Sequence, residues 1–153
     1  MTRETFKAEL KTYLIKHLKA FLPKMEGVEM RAFDIGIFPW YGYLYFSFLP
    51  TKEYNENGNH LYAGDWEYWY FNTGSGFRHS WWMEENNFNI FNTKEEKEVG
   101  EAYFRICGEL LHDEEVLNVF KEYNLSEDFQ FLVFNHDKAT RDDRTNYYLK
   151  VMS

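Results

Sequence analysis

The N-terminal segment has the spacing of an amphipathic helix. Phe6, Leu10, Tyr13, Leu14, Leu18 and Phe21 recur at three- and four-residue intervals, lysines fill the other faces, and Pro23 ends the run. From Val28 the period falls to two. Val28, Met30 and Ala32 alternate, then the pattern restarts one residue out of phase at Phe33, Ile35 and Ile37. That slip predicts a strand over residues 28–38 that either carries a β-bulge or is buried on both faces. A turn at Pro39-Trp40-Tyr41-Gly42 leads to a second strand over residues 43–49, and the short connection makes the pair an antiparallel hairpin.

The polar run 51–60, with Asn55, Asn57, Gly58 and Asn59, reads as a surface loop. Residues 65–71 are crowded with aromatics and read as a strand, 72–76 as a turn, 77–82 as a returning strand and 86–92 as a loop. The helical period resumes at Thr93, which forms a capping-box pattern with Glu96 and precedes an apolar face of Val99, Ala102, Tyr103, Ile106, Cys107 and Leu110. Continuing that face would bury Asp113. A break there is expected instead, with Asp113 as the N-cap of a second helix that buries Val116, Leu117, Phe120 and Tyr123. Residues 129–135 are apolar on both faces, hence a central strand. Residues 142–152 fit a strand or a helix. The succession predicts one α+β domain spanning residues 1–153, an antiparallel sheet of about four to six strands packed with an N-terminal helix and a kinked C-terminal helix pair.

Composition narrows the function classes. A chain of 153 residues buries roughly 70% of its extended surface as one domain. Its 5 Trp, 12 Tyr and 15 Phe exclude intrinsic disorder despite a net charge of −8. The lysines at 7, 11, 16 and 19 interrupt the apolar pattern of the first helix, which matches neither a signal peptide nor a membrane span, so a cytoplasmic protein is expected. A single cysteine, Cys107, removes disulfides and multi-cysteine metal motifs. With 25 acidic and 17 basic residues the chain is a poor partner for a phosphate backbone, so no nucleic acid is expected and a basic protein is the easier partner.

Three groups of residues carry candidate chemistry. Residues 31–82 hold 18 of the 32 aromatics, and strand alternation puts Tyr41, Tyr43 and Tyr45 on one face, with Leu44, Phe46 and Phe48 on the other. Trp66, Tyr68 and Tyr70 share a face of the following predicted strand, and Trp69 and Phe71 the opposite one. Together Tyr43, Tyr45, Trp66, Tyr68 and Tyr70 are expected to form a binding surface of rings with polar tips, unless helices cover them. Second, seven carboxylates lie between Glu109 and Asp128 against one Lys121, and Asp113, Glu114 and Glu115 are the binding candidates among them. They either steer a basic partner or form a solvated helix face with a well-placed N-terminus. Third, an alternative small-molecule pocket is expected among Trp66, Trp69, Arg78, His79, Trp81 and Trp82.

The remaining motifs are bland. The five histidines have no metal-ligand spacing, so no metal site is expected, and Cys107 sits on an apolar helix face, where a thiol is a small hydrophobe. Gly74-Ser75-Gly76 lacks the following helix of a phosphate-binding loop, and Ser47, Ser75 and Ser80 lack a nucleophile motif, so no cofactor is expected and no catalytic residue is assigned. In size, acidity and aromatic abundance the chain resembles the small acidic bacterial proteins that bind and neutralise toxins, immunity proteins of contact-dependent and polymorphic toxin systems among them. That resemblance implies a protein that occludes a toxin's site, and the aromatic and acidic residues above make a non-enzymatic binder of a basic protein the leading expectation. The alternatives are the small-molecule binder or enzyme, and a homo-oligomer that uses the aromatic face on itself.

Overall fold

The computed structural model describes residues 3–38, 43–57, 63–72, 77–78, 93–135 and 146–149. Helix α1 (Arg3–Phe21) runs into a 3-10 turn, Leu22–Met25, that accommodates Pro23. Strands β1 (Met30–Phe38) and β2 (Tyr43–Pro50) follow, then α2 (Thr51–Asn57), a 3-10 turn at Ala63–Asp65 and the two-residue strand β3 (Phe77–Arg78). Helices α3 (Thr93–Leu110) and α4 (Glu114–Phe120), strand β4 (Leu125–Asn135) and strand β5 (Asn146–Leu149) complete the order.

The α+β class is as the sequence predicts, but the sheet is mixed and not antiparallel. Its order is β3-β2-β1-β4-β5, three long strands flanked by two short ones. β1 and β2 form the expected antiparallel pair, whereas β4 lies parallel to β1, with Phe33 opposite Phe131 and Ile35 opposite Val133. Parallel neighbours need a crossover, and the α3–α4 pair lies in the connection between β2 and β4. The apolar run in β4 shows that it is central and leaves its direction open.

The phase slip in β1 is a bulge. Register shifts between Met30 and Ala32 against both neighbours. Its effect is to turn Met30, Phe33, Ile35 and Ile37 toward the helices and Ala32 toward the opposite face. On the helix side, β1 joins Leu44, Phe46 and Phe48 of β2 and Phe129, Phe131 and Val133 of β4, covered by α1, α3 and α4. Aromatic rings interlock there. Phe120 meets Phe131 edge-on at 4.7 Å and Phe33 at 4.9 Å, and Phe21 stacks on Phe71 at 4.3 Å. The Tyr123 hydroxyl donates 2.6 Å to the Leu18 carbonyl, one of the last four of α1, which lack a partner within the helix.

The helix break is where the buried-aspartate argument puts it. Asp113 caps α4 by accepting from the backbone N–H of Glu115 (2.9 Å) and Val116 (3.3 Å). Two other expectations are corrected. The polar run after Pro50 is in part the helix α2, which buries no residue fully and so leaves no apolar stripe to read. It is held from outside, by the Thr51 N–H on the Glu29 carbonyl and by Arg31 over the Tyr54 ring at 4.6 Å.

The predicted strand over residues 65–71 is instead a series of turns with a single bridge, Phe48 to Tyr68. Tyr70, at φ 52°, is in the left-handed region and cannot continue a strand. These turns still finish the edge of β2. Phe48 N–H donates to the Tyr68 carbonyl and Phe71 N–H to the Phe46 carbonyl. The fully buried Asn72 then acts as a peptide group in side-chain form. It accepts from Phe46 N–H at 2.8 Å and donates to the Leu44 carbonyl and to the Tyr13 hydroxyl. Asn72→Ala would orphan two buried backbone groups at about 1–3 kcal/mol each. Urea unfolding of that variant is expected to show a loss of about 2–4 kcal/mol. A loss below about 0.5 kcal/mol, the level of an ordinary surface substitution, would mean the edge is satisfied some other way.

Candidate functional site

The sheet face away from the helices carries the candidate chemistry. Alternation in β2 turns Tyr45, Ser47 and Leu49 to that side, a span of about 13 Å along the strand. Three features line up on it: an aromatic patch at Tyr45, a buried carboxyl beside Ser47, and a cavity at Leu49.

At the patch, Tyr45 and Tyr70 lie with ring centroids 4.0 Å apart, and Trp69 packs at 5.7 Å from each. Trp69 is 42% exposed, the one exposed large hydrophobic side chain among the described residues. The strained Tyr70 backbone is what sets this arrangement, and its N–H is tied to Ser47 Oγ at 3.0 Å.

The buried carboxyl belongs to Asp34, which faces Ser47 across the β1–β2 pair and Leu132 across the β1–β4 pair. It is 1% exposed, and neither carboxyl oxygen has a hydrogen-bond partner. Burial drives its pKa well above the ordinary carboxylate value. Cys107, in the helix-side core, is pushed up by burial first and by Asp34 second, so its thiol is inert.

The cavity, about 270 Å³, is lined by Leu49, Glu53, Tyr54, Asn57, Asp65 and Trp66. It lies between α2 and the Ala63–Asp65 turn, over a small apolar cluster of Ala32, Leu49, Trp66 and Leu132. Glu53 Oε1 accepts from Glu67 N–H at 2.9 Å, while Oε2 is buried with no partner, and the same holds for the indole Nε1 of Trp66. Burial, and then the neighbouring Glu67 and Glu56, raise the Glu53 pKa.

The predicted aromatic surface is divided. Trp66 is buried under the cavity, Tyr68 packs toward the helix-side core 5.8 Å from Phe21, and Tyr70 stays with Tyr45 on the outer face. Turns have no two-residue period, so the expected shared face does not exist. Tyr43 holds a place in β2 opposite Arg78 of β3, with both side chains outside the described set. Tyr41, His79, Trp81 and Trp82 also lie outside the described residues, so of the alternative pocket the structure places Trp66 and Trp69, and it separates them.

The acidic candidates are occupied from within. Lys11 reaches Asp113 at 3.0 Å and Glu115 at 3.2 Å, and Glu109 takes Lys7 and Arg3 at 2.8 Å each. Lys7, then Arg3, hold the Glu109 carboxyl below its usual range. At Asp113 burial pushes the pKa up, but Lys11 and the backbone N–H groups of Val116 and Glu115 outweigh it and leave the carboxyl lowered. Glu114 is exposed and has no ion pair among the described residues. No group of three or more potential ligands is placed to hold a metal among the described residues, and no described helix is long and apolar enough to cross a membrane. No protein-family model, curated protein or solved structure matches the chain.

Sequence reasoning missed Asp34, Glu53 and Tyr54. Asp34 had a visible signal, an acid inside an otherwise apolar strand, whereas Glu53 and Tyr54 had none in a run that looks like a loop. A carboxyl with a raised folded pKa leaves stability intact below its unfolded pKa of about 3.9 and erodes it as pH rises toward the folded value. Asp34→Asn is therefore expected to be more stable than wild type at pH 8, by on the order of 1 kcal/mol or more relative to their difference at pH 5. Urea midpoints across pH check this, and parallel pH profiles for the two proteins would refute it.

Proposed function

We propose that this protein is a binding protein that occludes a basic surface of a partner protein, as a toxin-neutralising immunity protein does. The contact is made by Tyr45 of β2 and by the turns at residues 63–72. The observation that carries the reading is Trp69, exposed at 42% yet held on Tyr45 and Tyr70. An exposed Trp braced by two rings is a preorganised anchor: it loses little rotamer freedom on binding and brings a large contact area.

Charge supports the same surface. The basic residues Arg3, Lys7 and Lys11 are paired with Glu109, Asp113 and Glu115, so the acidic candidates near α4 are largely neutralised. Helix α2 and the turns at residues 63–72 carry Glu53, Glu56, Asp65 and Glu67, against which the described residues set Lys52, paired to Glu56 at 3.9 Å. Carboxylates on the segments that carry or precede an exposed aromatic anchor steer a basic partner toward it, and the anchor then holds that partner. Glu114 remains available as an outlying contact.

The partner is sought by co-expression with the product of the adjacent gene, read as co-purification and as rescue of growth. Both are expected with the wild type. Trp69→Ala should abolish both while leaving the protein folded, at a cost of about 1–2 kcal/mol for the lost contacts to Tyr45 and Tyr70. Failure of the wild type to form a complex or to restore growth removes the proposal, and so does a complex indifferent to Trp69→Ala and Tyr45→Ala.

A further inference from the structure

Among the described residues Tyr70 is the only one other than glycine with a positive φ, and it directly follows the exposed Trp69. Left-handed backbone in a turn ordinarily belongs to glycine or asparagine, and a bulky side chain is strained there. The strain has a visible result. Consecutive side chains on extended backbone point to opposite faces, yet Trp69 and Tyr70 both lie against Tyr45, at 5.7 Å and 4.0 Å. The left-handed turn of the chain at Tyr70 is what brings the two neighbouring rings onto one tyrosine.

Two residues of β2 hold this form. Tyr45 and Ser47 share a face of the strand, and while the Tyr45 ring receives the Tyr70 ring, Ser47 Oγ accepts the Tyr70 N–H at 3.0 Å. The ring contact fixes the side chain, and the hydrogen bond fixes the direction of the peptide. Ser47 is 1% exposed between the core residues Phe46 and Phe48, where a hydroxyl needs a partner. It also faces Asp34 across the strand pair, but neither Asp34 oxygen has a hydrogen-bond partner. The Ser47 oxygen serves Tyr70 and not the buried acid opposite.

We propose that Ser47 is a positioning residue for the Trp69 anchor: by holding the Tyr70 peptide in its left-handed form it keeps Trp69 braced on Tyr45 and Tyr70 before a partner arrives. This rests on the reading of Trp69 as the binding anchor. The bonds on either side, from Phe48 N–H to the Tyr68 carbonyl and from Phe71 N–H to the Phe46 carbonyl, fasten the segment to the edge of β2 without involving the Trp69–Tyr70 peptide. Residues 69 and 70 can therefore relax while the edge stays filled. Return of Tyr70 to negative φ changes the angle between the two side chains and takes Trp69 off the paired tyrosines. An anchor ordered in the free protein avoids the cost of ordering it on binding, which is what a strained turn beside a binding residue supplies.

The test is NMR on the whole chain, comparing wild type with Ser47→Ala, which removes the acceptor and leaves all three rings present. Wild type is expected to show the strong N–H to Hα cross-peak of a left-handed residue at Tyr70, and a Trp69 indole resonance shifted by the tyrosine rings. In Ser47→Ala both signatures should be lost and Tyr70 N–H exchange should rise at least about tenfold, with the Phe48 and Phe71 amides and the Trp66 indole unchanged. In the complex with the adjacent gene's product, Ser47→Ala should weaken binding about tenfold although Trp69 is intact. Persistence of the Tyr70 cross-peak and Trp69 shift in Ser47→Ala would overturn the proposal. So would an unchanged affinity, or loss of Phe48 and Phe71 protection together with that of Tyr70, which would make Ser47 a general support of the edge. A wild type that forms no complex removes the binding reading alone, and the spectra of the free protein decide the role of Ser47 without it.

Discussion

A sheet edge must be filled, and in this protein the edge of β2 governs what the outer face can present. β3 pairs with only Tyr43 and Leu44, so the backbone groups of Phe46 and Phe48 need other partners. The turns at 66–72 supply them, and the Asn72 amide closes the series by imitating a strand. Turns can do this only by reversing direction, which sends Trp66, Tyr68 and Tyr70 to three different surroundings. The left-handed backbone at Tyr70 is the local cost, of the order of 1–3 kcal/mol. In return Tyr70 seats against Tyr45 and leaves Trp69 outside, while Trp66 closes the floor of the cavity. Edge filling, patch and cavity are one arrangement of the same short segment.

Electrostatics divide along the same line. The chain segregates its charge, +3 over residues 1–31 and −11 over the rest, a pattern that suggests steering by the whole molecule. Packing α1 against α3 and α4 uses part of that separation internally, through Arg3, Lys7 and Lys11. These exposed pairs add little stability individually. Their consequence is positional: the acids near α4 are screened, and those of α2 and the following turns stand out. Asp34 is a buried acid held between strands with no hydrogen-bond partner for either carboxyl oxygen. Once ionised it destabilises the fold, and it sits opposite the buried Ser47 on the same sheet face.

Much of the scaffold was legible because local rules were enough. Periodicity located α1, the β1–β2 pair and the α3–α4 break, and the slip in β1 left open a bulge or burial on both faces, of which the structure shows both. The Asp113 cap followed from asking where a carboxylate would otherwise go. The errors share a physical cause. Parallel pairing of β4 depends on the crossover path, α2 is held by Arg31 and Glu29 from elsewhere in the chain, and the aromatic run at 65–71 takes its shape from the β2 edge. None of these constraints is local.

The candidate site divides the same way. Residue pattern alone separated the faces of β2, turning Phe46 and Phe48 inward and Tyr45 outward, because side-chain direction along a strand has a fixed period of two. It also showed that the chain is rich in rings and acids suited to binding. Which rings remain exposed, which acids are already paired, and that Glu53, Tyr54 and Trp66 border one cavity were decided only when distant segments packed together. Exposure and pairing are properties of neighbours, and neighbours distant in sequence are chosen by the fold as a whole.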